Sequence, residues 1–391
     1  MTLVYLGIVA AICISVTITI YRRFWDYGLS ADVAFSQHEV EEGQTLLLKE
    51  KVENRKILPL PTLMVKLEMD RNIQCADRTS TNVTDKQYRN DWVAVMPYKR
   101  VTRSIEVTGT KRGYYSIEEV RLVTTDILFR SLFSKAISNR TWLYVYPARS
   151  KFLRLPEIFC RMYGDVLSNQ RMQEDSMEFK GIRDYVQTDP IRKVNWKASA
   201  RTGTLMVNQY YDSASQRLTI FLNVSQSGIL RYYDLIEESI RISRNFIEEF
   251  VQKGIPVRII SNGVDRLTGQ EIFLKEGAGL SHIDACLKEL AKMDIYAPAR
   301  SMAEVIREQS TKDMASASHG EVSLLISAEQ TAELAEAYLH FAGATGSANW
   351  LIPIHESMRE YLAEHVSDEK IRGASGNFIH TDYLIMEELE R

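Results

Sequence analysis

The densest run of chemically capable side chains lies between Asp175 and Asp212, in DSMEFKGIRDYVQTDPIRKVNWKASARTGTLMVNQYYD. Here Glu178, Asp184 and Asp189 are interspersed with Arg183, Arg192, Lys193, Lys197 and Arg201 around the aromatics Phe179, Tyr185 and Trp196. A carboxylate pair such as Asp184 and Asp189 has the makings of an acid and a base. The surrounding cations favour the ionised forms, however, which suits ion pairing better than proton transfer. Two roles remain open. Arginine forks hold carboxylates bidentately, so the segment can clamp itself to the body of a domain. Alternatively, Arg and Trp exposed together form a typical binding hot spot, which makes the segment a docking face. Burial of Arg192, Trp196 and Arg201 separates the two.

Other catalytic constellations are missing. The seven histidines include no i, i+4 pair with an intervening glutamate, and there is no Gly-rich phosphate loop ending in Lys-Ser or Lys-Thr and no Gly-x-Ser-x-Gly. ATP chemistry is therefore expected from a partner, and the chain reads as a non-enzyme. Four cysteines, Cys13, Cys75, Cys160 and Cys286, are scattered without metal or dithiol spacing. Cys75, Cys160 and Cys286 read as buried packing residues in a reducing compartment. A formal charge of -3 gives no bulk attraction to nucleic acid.

The elements that must position these residues fall into four stretches. A chain of 391 residues exceeds one core. Residues 1–25 open on MTLVYLGIVAAICISVTITI, an uncharged run long enough to cross the hydrocarbon core as one helix. It lacks the basic start and small-residue cleavage site of a secretory signal. Arg22 and Arg23 follow it, so the positive-inside tendency places the rest in the cytoplasm, with Tyr21 and Trp25 at the membrane interface. The expected localisation is thus the cell membrane, single-pass. Residues 28–150 alternate apolar and polar positions, as in QTLLLKEKVE and PTLMVKLEM, and predict an antiparallel β-sandwich of immunoglobulin or fibronectin-like type. Residues 151–216 are the charged joining segment. Residues 217–391 alternate apolar strands (RLTIFLNV, PVRIISNG, EVSLLISA, NWLIPI) with amphipathic helices, which predicts an α/β domain on a parallel sheet with EIFLKEG at its edge.

The 175–212 run strongly resembles the signature of the bacterial family known as domain of unknown function 58. The matching elements are Glu178-Phe179, Arg183, Tyr185, Asp189-Pro190, Arg192, Asn195-Trp196-Lys197 and Ala200-Arg201, together with the upstream KRGYYSIEEVRLVTTD. Thr188 departs from the Gly usual there. The resemblance implies a membrane-tethered sandwich followed by a von Willebrand factor A-like, Rossmann-like domain that works with a MoxR-type AAA+ ATPase. It implies no catalytic activity.

In a von Willebrand A domain the first strand ends in Asp-x-Ser-x-Ser, a magnesium site of hard oxygen ligands completed by a later Thr and Asp. The corresponding place here reads Asn223-Val224-Ser225-Gln226-Ser227, with Ser281 near the position of the Thr and Ser327-Ala328 where the later Asp would stand. With no carboxylate, weak magnesium binding at most is expected and no resident cofactor. The sequence therefore predicts a membrane-anchored scaffold or adaptor, in protein assembly or envelope function, that engages a partner through residues 178–201. The alternatives are a metal-dependent binding module at Asn223 and a hydrolase with its site in a groove between the domains.

Overall fold

The period-two alternation of the N-terminal part becomes strands and the 3.6-residue periodicity of the C-terminal part becomes helices. The computed structural model describes residues 2–77, 81–83, 86–126, 129, 131–175, 179–186, 191, 194–210, 217–226, 231–314, 321–358 and 379–386. The chain divides into two compact units, Met1–Ala148 with Leu290–Lys292, and Arg149–Glu289 with Met293–Arg391.

The first unit starts with helix α1 (Thr2–Phe24), followed by β1 (Leu29–Phe35), β2 (Glu39–Glu41), β3 (Thr45–Asn54), β4 (Leu60–Asp70) and β5 (Ile73–Cys75). Then come β6 (Thr81–Val83), β7 (Lys86–Val95), β8 (Arg100–Gly109), β9 (Gly113–Thr125) and β10 (Leu132–Tyr146). The strands form two sheets, ordered β1-β3-β8-β5 and β2-β10-β9-β4-β7-β6, antiparallel except where β2 meets β10. One apolar core holds residues of both sheets, Leu48 and Val107 from one and Leu63 and Leu143 from the other, which makes the unit a β-sandwich. Alternation explains this, because residues i and i+2 share a face of a strand and only the inward face needs apolar side chains.

Over Tyr5–Phe24, α1 is long and apolar enough to cross a membrane, by length and composition. Tyr21 and Trp25 are not at an interface, as the sequence suggests, but inside the sandwich. Tyr21 is 1% exposed and its hydroxyl donates to the Pro59 carbonyl at 2.6 Å. Trp25, one turn further, is buried and stacks on Phe133 at 5.9 Å. An aromatic body with a polar tip suits a protein edge as well as a lipid headgroup layer, and here the tip finds a backbone partner. Lys56 Nζ donates to the Trp25 carbonyl at 2.7 Å, and Lys135 pairs with Asp26 at 3.0 Å.

The second unit comprises α2 (Leu155–Asp175), β11 (Phe179–Asp184), α3 (Trp196–Thr202), β12 (Met206–Tyr210), β13 (Leu218–Leu222), α4 (Tyr233–Gln252), β14 (Val257–Asp265) and β15 (Glu271–Gly277). It continues with α5 (Leu280–Lys292), β16 (Met293–Asp294), α6 (Met302–Met314), β17 (Glu321–Ile326), α7 (Ala332–Thr345), β18 (Gly346–Ile354) and β19 (Ile379–Ile385). The main sheet runs β15-β14-β13-β17-β18-β19, parallel from β14 to β19, with β15 antiparallel at the edge. Helices α6 and α7 share one core with the Phe221 and Leu325 face of the sheet, and β13 is buried along its whole length, as expected of a parallel strand covered on both sides.

Two elements depart from the sequence reading. The stretch opening the joining segment is a 21-residue helix, α2, whose Leu155, Ile158, Met162 and Val166 are buried at helical spacing. The run of charges around these four residues hides a stripe that is narrow but sufficient. Cys160, on another face of α2, is exposed, whereas Cys75 and Cys286 are buried. Interlocked ion pairs also stand at the start of the sheet, where Arg258 reaches Asp313 at 2.7 Å and Glu321 at 2.8 Å, and Arg217 reaches Glu321 at 3.0 Å. In the joining segment, Arg154 at the start of α2 and Arg161 within it share Asp382. Buried charges persist when paired and hydrogen-bonded in this way, and removing one partner leaves the other stranded.

Candidate functional site

Strand β14 lies on one side of β13 and β17 on the other. The order in which strands are added to the sheet therefore reverses at β13, and in open α/β sheets the crevice at the carboxyl ends of such strands is where ligands bind. Asn223 leaves β13 at that point and is buried. Its Nδ2 donates to Ser327 Oγ at 2.9 Å and to Glu329 Oε2 at 3.1 Å, and its Oδ1 accepts from the Ser225 amide at 2.9 Å and from Asn262 Nδ2 at 2.8 Å. Ser225 Oγ lies 2.8 Å from Asn223 Oδ1 and 2.9 Å from Glu329 Oε2. Ser327 Oγ also accepts from the Glu329 amide and donates to its carbonyl.

The expectation that no carboxylate reaches this place is overturned. Glu329, three residues beyond β17, turns back to it. Strand ends turn sharply, so a residue three positions past the sheet can lie beside the one at its edge. The donor set still does not fit a cation. Asn223 presents N–H groups rather than a lone pair toward Glu329, so its amide fills the position that a metal would need between two acids. Among the described residues, no group of three or more His, Cys, Asp or Glu is arranged to hold a metal ion. Ser227 lies outside the described residues. Ser281 is exposed in the first turn of α5, and none of the described hydrogen bonds of the Asn223 network reaches it. Asn262, which holds the Val224 amide at 2.9 Å, takes a place in the network that the sequence did not reveal.

The signature segment folds differently. Strands β11 and β12 pair antiparallel from Phe179 with Tyr210 to Asp184 with Met206, and α3 lies in the connection between them. Asn195 is the organising residue. It caps α3 by accepting from the Ala198 amide at 2.9 Å, donates to Asn208 Oδ1 at 2.8 Å, and its own amide donates to the Met206 carbonyl at 2.8 Å. An asparagine at this position satisfies one of the orphan amides of a helix start. Gly203 ends the helix with φ 75°, a conformation that favours glycine, and its amide donates to the Ser199 carbonyl. Tyr185 ties its amide to the Leu205 carbonyl at 2.9 Å.

This framework leaves its side chains outward. Trp196 is 66% exposed, and Lys197, Ala200 and Arg201 are exposed beside it, with Ile182, Val186, Ile191 and Leu205 also facing solvent. Arg183 is partly buried and donates to the Asp184 carbonyl at 3.0 Å. Among the described residues, no ion pair involves Lys197 or Arg201. Backbone pairing and Asn195 hold the described part of the segment. Glu178, Asp189 and Arg192 lie outside the described residues, and of Phe179 only the backbone is described.

Two further features escaped sequence reasoning. Glu50 is 1% exposed, points into the sandwich with neither carboxyl oxygen hydrogen-bonded, and lies near the Arg89–Asp91 pair. Burial, and then the charge of Asp91, push its carboxyl up to about 7 against the pull of Arg103 and Arg89. The signal was present, since alternation through Leu46, Leu48, Glu50 and Val52 points the acid inward. In the second unit, a cavity of about 480 Å³ lies beside α2 and α4, lined by Phe152, Phe159 and Phe246, with Glu249 as its carboxylate. It offers no acid pair.

Residues 181–235 match the family described as "Protein of unknown function DUF58". The uncharacterised protein YeaD of Bacillus subtilis (strain 168) is 24% identical over 312 residues, which cover 75% of this chain and 74% of YeaD. Among solved structures, a non-cellulosomal cohesin from Archaeoglobus fulgidus aligns at 12% identity with a TM-score of 0.20, covering 29% of this chain and 91% of its own. A CARDB domain from Pyrococcus furiosus aligns at 13% identity with a TM-score of 0.18, covering 28% of this chain and 93% of its own. The motif through Asn195-Trp196-Lys197 thus lies inside the segment that matches the DUF58 family, and the similarity to YeaD extends across three quarters of the chain.

Proposed function

We propose that this chain is a membrane-anchored, non-enzymatic scaffold that offers its β11-α3-β12 signature hairpin to a MoxR-type AAA+ ATPase. The observation that carries this reading is the exposure of Trp196 with Lys197 and Arg201 on a framework already held by its own backbone and by Asn195. Side chains that do nothing for the hairpin's fold are free for a partner, and Trp and Arg are the residues that contribute most to binding.

The anchor is a retained helix in the cell membrane with the soluble units in the cytoplasm. The basic pair Arg22 and Arg23 behind α1 supports the orientation. The burial of Tyr21 and Trp25 supports retention, because cleavage would remove two aromatics from the sandwich, at roughly 3–5 kcal/mol each. The sandwich is of immunoglobulin or fibronectin-like type and the α/β unit of von Willebrand factor A type. The strand order and the polar residues at the ends of β13 and β17 support the latter. The ATPase supplies the energy, and the scaffold carries its work to a membrane or envelope client.

Affinity capture of the full-length protein from native membranes, followed by mass spectrometry, tests this. The wild type is expected to recover an AAA+ ATPase, and Trp196→Ala/Lys197→Ala/Arg201→Ala to lose it while keeping its thermal unfolding temperature. Equal recovery by both, or no ATPase with the wild type, overturns the proposal.

A further inference from the structure

Two non-glycine residues among those described have positive φ, Tyr98 at 55° and Phe129 at 57°. Both are large aromatics that project into solvent, at 70% and 69% exposure. A bulky residue in this conformation is an outlier, because its Cβ crowds the following carbonyl, and such strain persists only where the surroundings enforce it. A folded domain ordinarily gains nothing by bending its backbone to hold an aromatic ring away from its core.

The two residues lie at the same end of the sandwich. Tyr98 is in the β7–β8 turn and Phe129 in the β9–β10 turn. Asn54, at the end of β3, joins the β3–β4 loop to the β7–β8 turn, its Nδ2 donating to the carbonyls of Leu58 at 2.9 Å and Met96 at 3.3 Å, and its amide to that of Lys99 at 3.0 Å. The Arg55 amide donates to the Gly28 carbonyl at 2.8 Å, which ties the same loop to the exit of α1. The β9–β10 turn reaches the same exit through the stacking of Phe133 on Trp25 and the pairing of Lys135 with Asp26. This is the end from which α1 leaves. Ile57, Leu132 and Tyr27 are also exposed there.

The loops lie alongside the helix rather than below it. Tyr21 is bonded to Pro59 in the β3–β4 loop, and Thr17 and Ile18, one turn nearer the N-terminus, are half-buried. At about 1.5 Å per residue, a turn is roughly 5 Å, comparable to the depth at which amphipathic segments sit in a headgroup layer. The charges agree. Arg22, Arg23 and Lys99 are exposed at this rim. Of the acids there, Asp26 pairs with Lys135 at 3.0 Å and Glu53 with Arg55 and Arg100 at 3.1 Å each, while Asp126 is buried away from the surface.

Resting on the reading of α1 as a membrane anchor, we infer that this end of the sandwich is a bilayer-docking surface whose three loops insert Ile57, Tyr98 and Phe129 into the interface of a phospholipid membrane. Aromatic rings with a polar rim of Arg and Lys are the composition that partitions to that depth. The apolar ring continues the apolar surface of the helix, so one lipid boundary covers both. The sandwich is then fixed against the membrane by four points instead of hanging from one helix.

Spin labels in the full-length protein reconstituted into phospholipid bilayers test the inference. In a Cys13→Ser/Cys160→Ser background, which removes the exposed thiols, labels are placed by Ile57→Cys, Tyr98→Cys and Phe129→Cys. Ile8→Cys in the helix and Arg71→Cys at the β4–β5 turn serve as references. Collision rates with oxygen should exceed those with a water-soluble nickel chelate at Ile8 and at all three loop positions, and the ratio should invert at Arg71. An inverted ratio at the loop positions with Ile8 in lipid overturns the docking surface and leaves the anchor standing. An inverted ratio at Ile8 as well removes the anchor reading itself.

Discussion

The strand-end crevice and the signature hairpin are built from similar residue types and treat them in opposite ways. At the crevice, Asn223, Ser225, Asn262, Ser327 and Glu329 hydrogen-bond one another until the amide of Asn223 and the hydroxyl of Ser327 are satisfied. On the hairpin, one asparagine, Asn195, does the internal work, and Trp196, Lys197 and Arg201 are left to solvent. Position in a fold does not make a site. The crevice occupies the place where α/β sheets bind ligands yet has closed on itself, while the hairpin retains uncommitted side chains.

The sharpest break of this contrast is Asn223→Asp. It replaces a donor to Glu329 by a second acid, so two carboxylates face each other in a buried place, at a cost on the order of 3 kcal/mol. Thermal unfolding in chelator should drop accordingly, and millimolar magnesium or manganese should restore at least half of the loss. A variant as stable as the wild type in chelator would show that the amide is not filling the position of a cation.

Glu50 shows what a buried acid does without such partners. Its carboxyl is raised to about 7, so the folded state holds the proton more tightly than the unfolded chain. The stability linked to it is fully present below the ordinary value of 4.5 and is lost as pH rises through about 7. Glu50→Gln should therefore unfold like the wild type near pH 4 and be more stable at pH 8, by on the order of 2–3 kcal/mol. Denaturant titrations at the two pH values measure this, and no gain at pH 8 would contradict the burial argument.

On the hairpin the effects on stability shrink. Asn195→Ala removes a helix cap, worth about 1 kcal/mol, and amide exchange in residues 196–202 should accelerate before the rest of the unit is affected. The triple substitution at Trp196, Lys197 and Arg201 should change global stability least, within about 0.5 kcal/mol, while abolishing partner capture. A large loss of stability there would restore the clamp.

Alternation in QTLLLKEKVE and PTLMVKLEM was enough to read the sandwich strands, because the period of a strand is local. The apolar strands of the second unit were legible for the same reason. Helix α2 was not, since its four buried residues are diluted by charges and their burial depends on the sheet beneath. The signature was legible as a motif but not as a role, because clamp and docking face use the same residues and differ only in exposure. Glu329 was missed because it lies three positions beyond the strand end, and only the direction of a turn brings it to Asn223.

The sequence by itself determined the apolar helix, the order of β-rich and α/β parts, the Asn223-Val224-Ser225 exchange and the family motif. Each of these is a property of neighbouring residues. Only the tertiary structure decided that Tyr21 and Trp25 belong to the sandwich, that Glu329 closes the crevice, that Trp196 faces solvent, and that Tyr98 and Phe129 share the end from which α1 leaves. These are contacts, or their absence, between residues tens of positions apart, and burial follows from what the rest of the chain places alongside them.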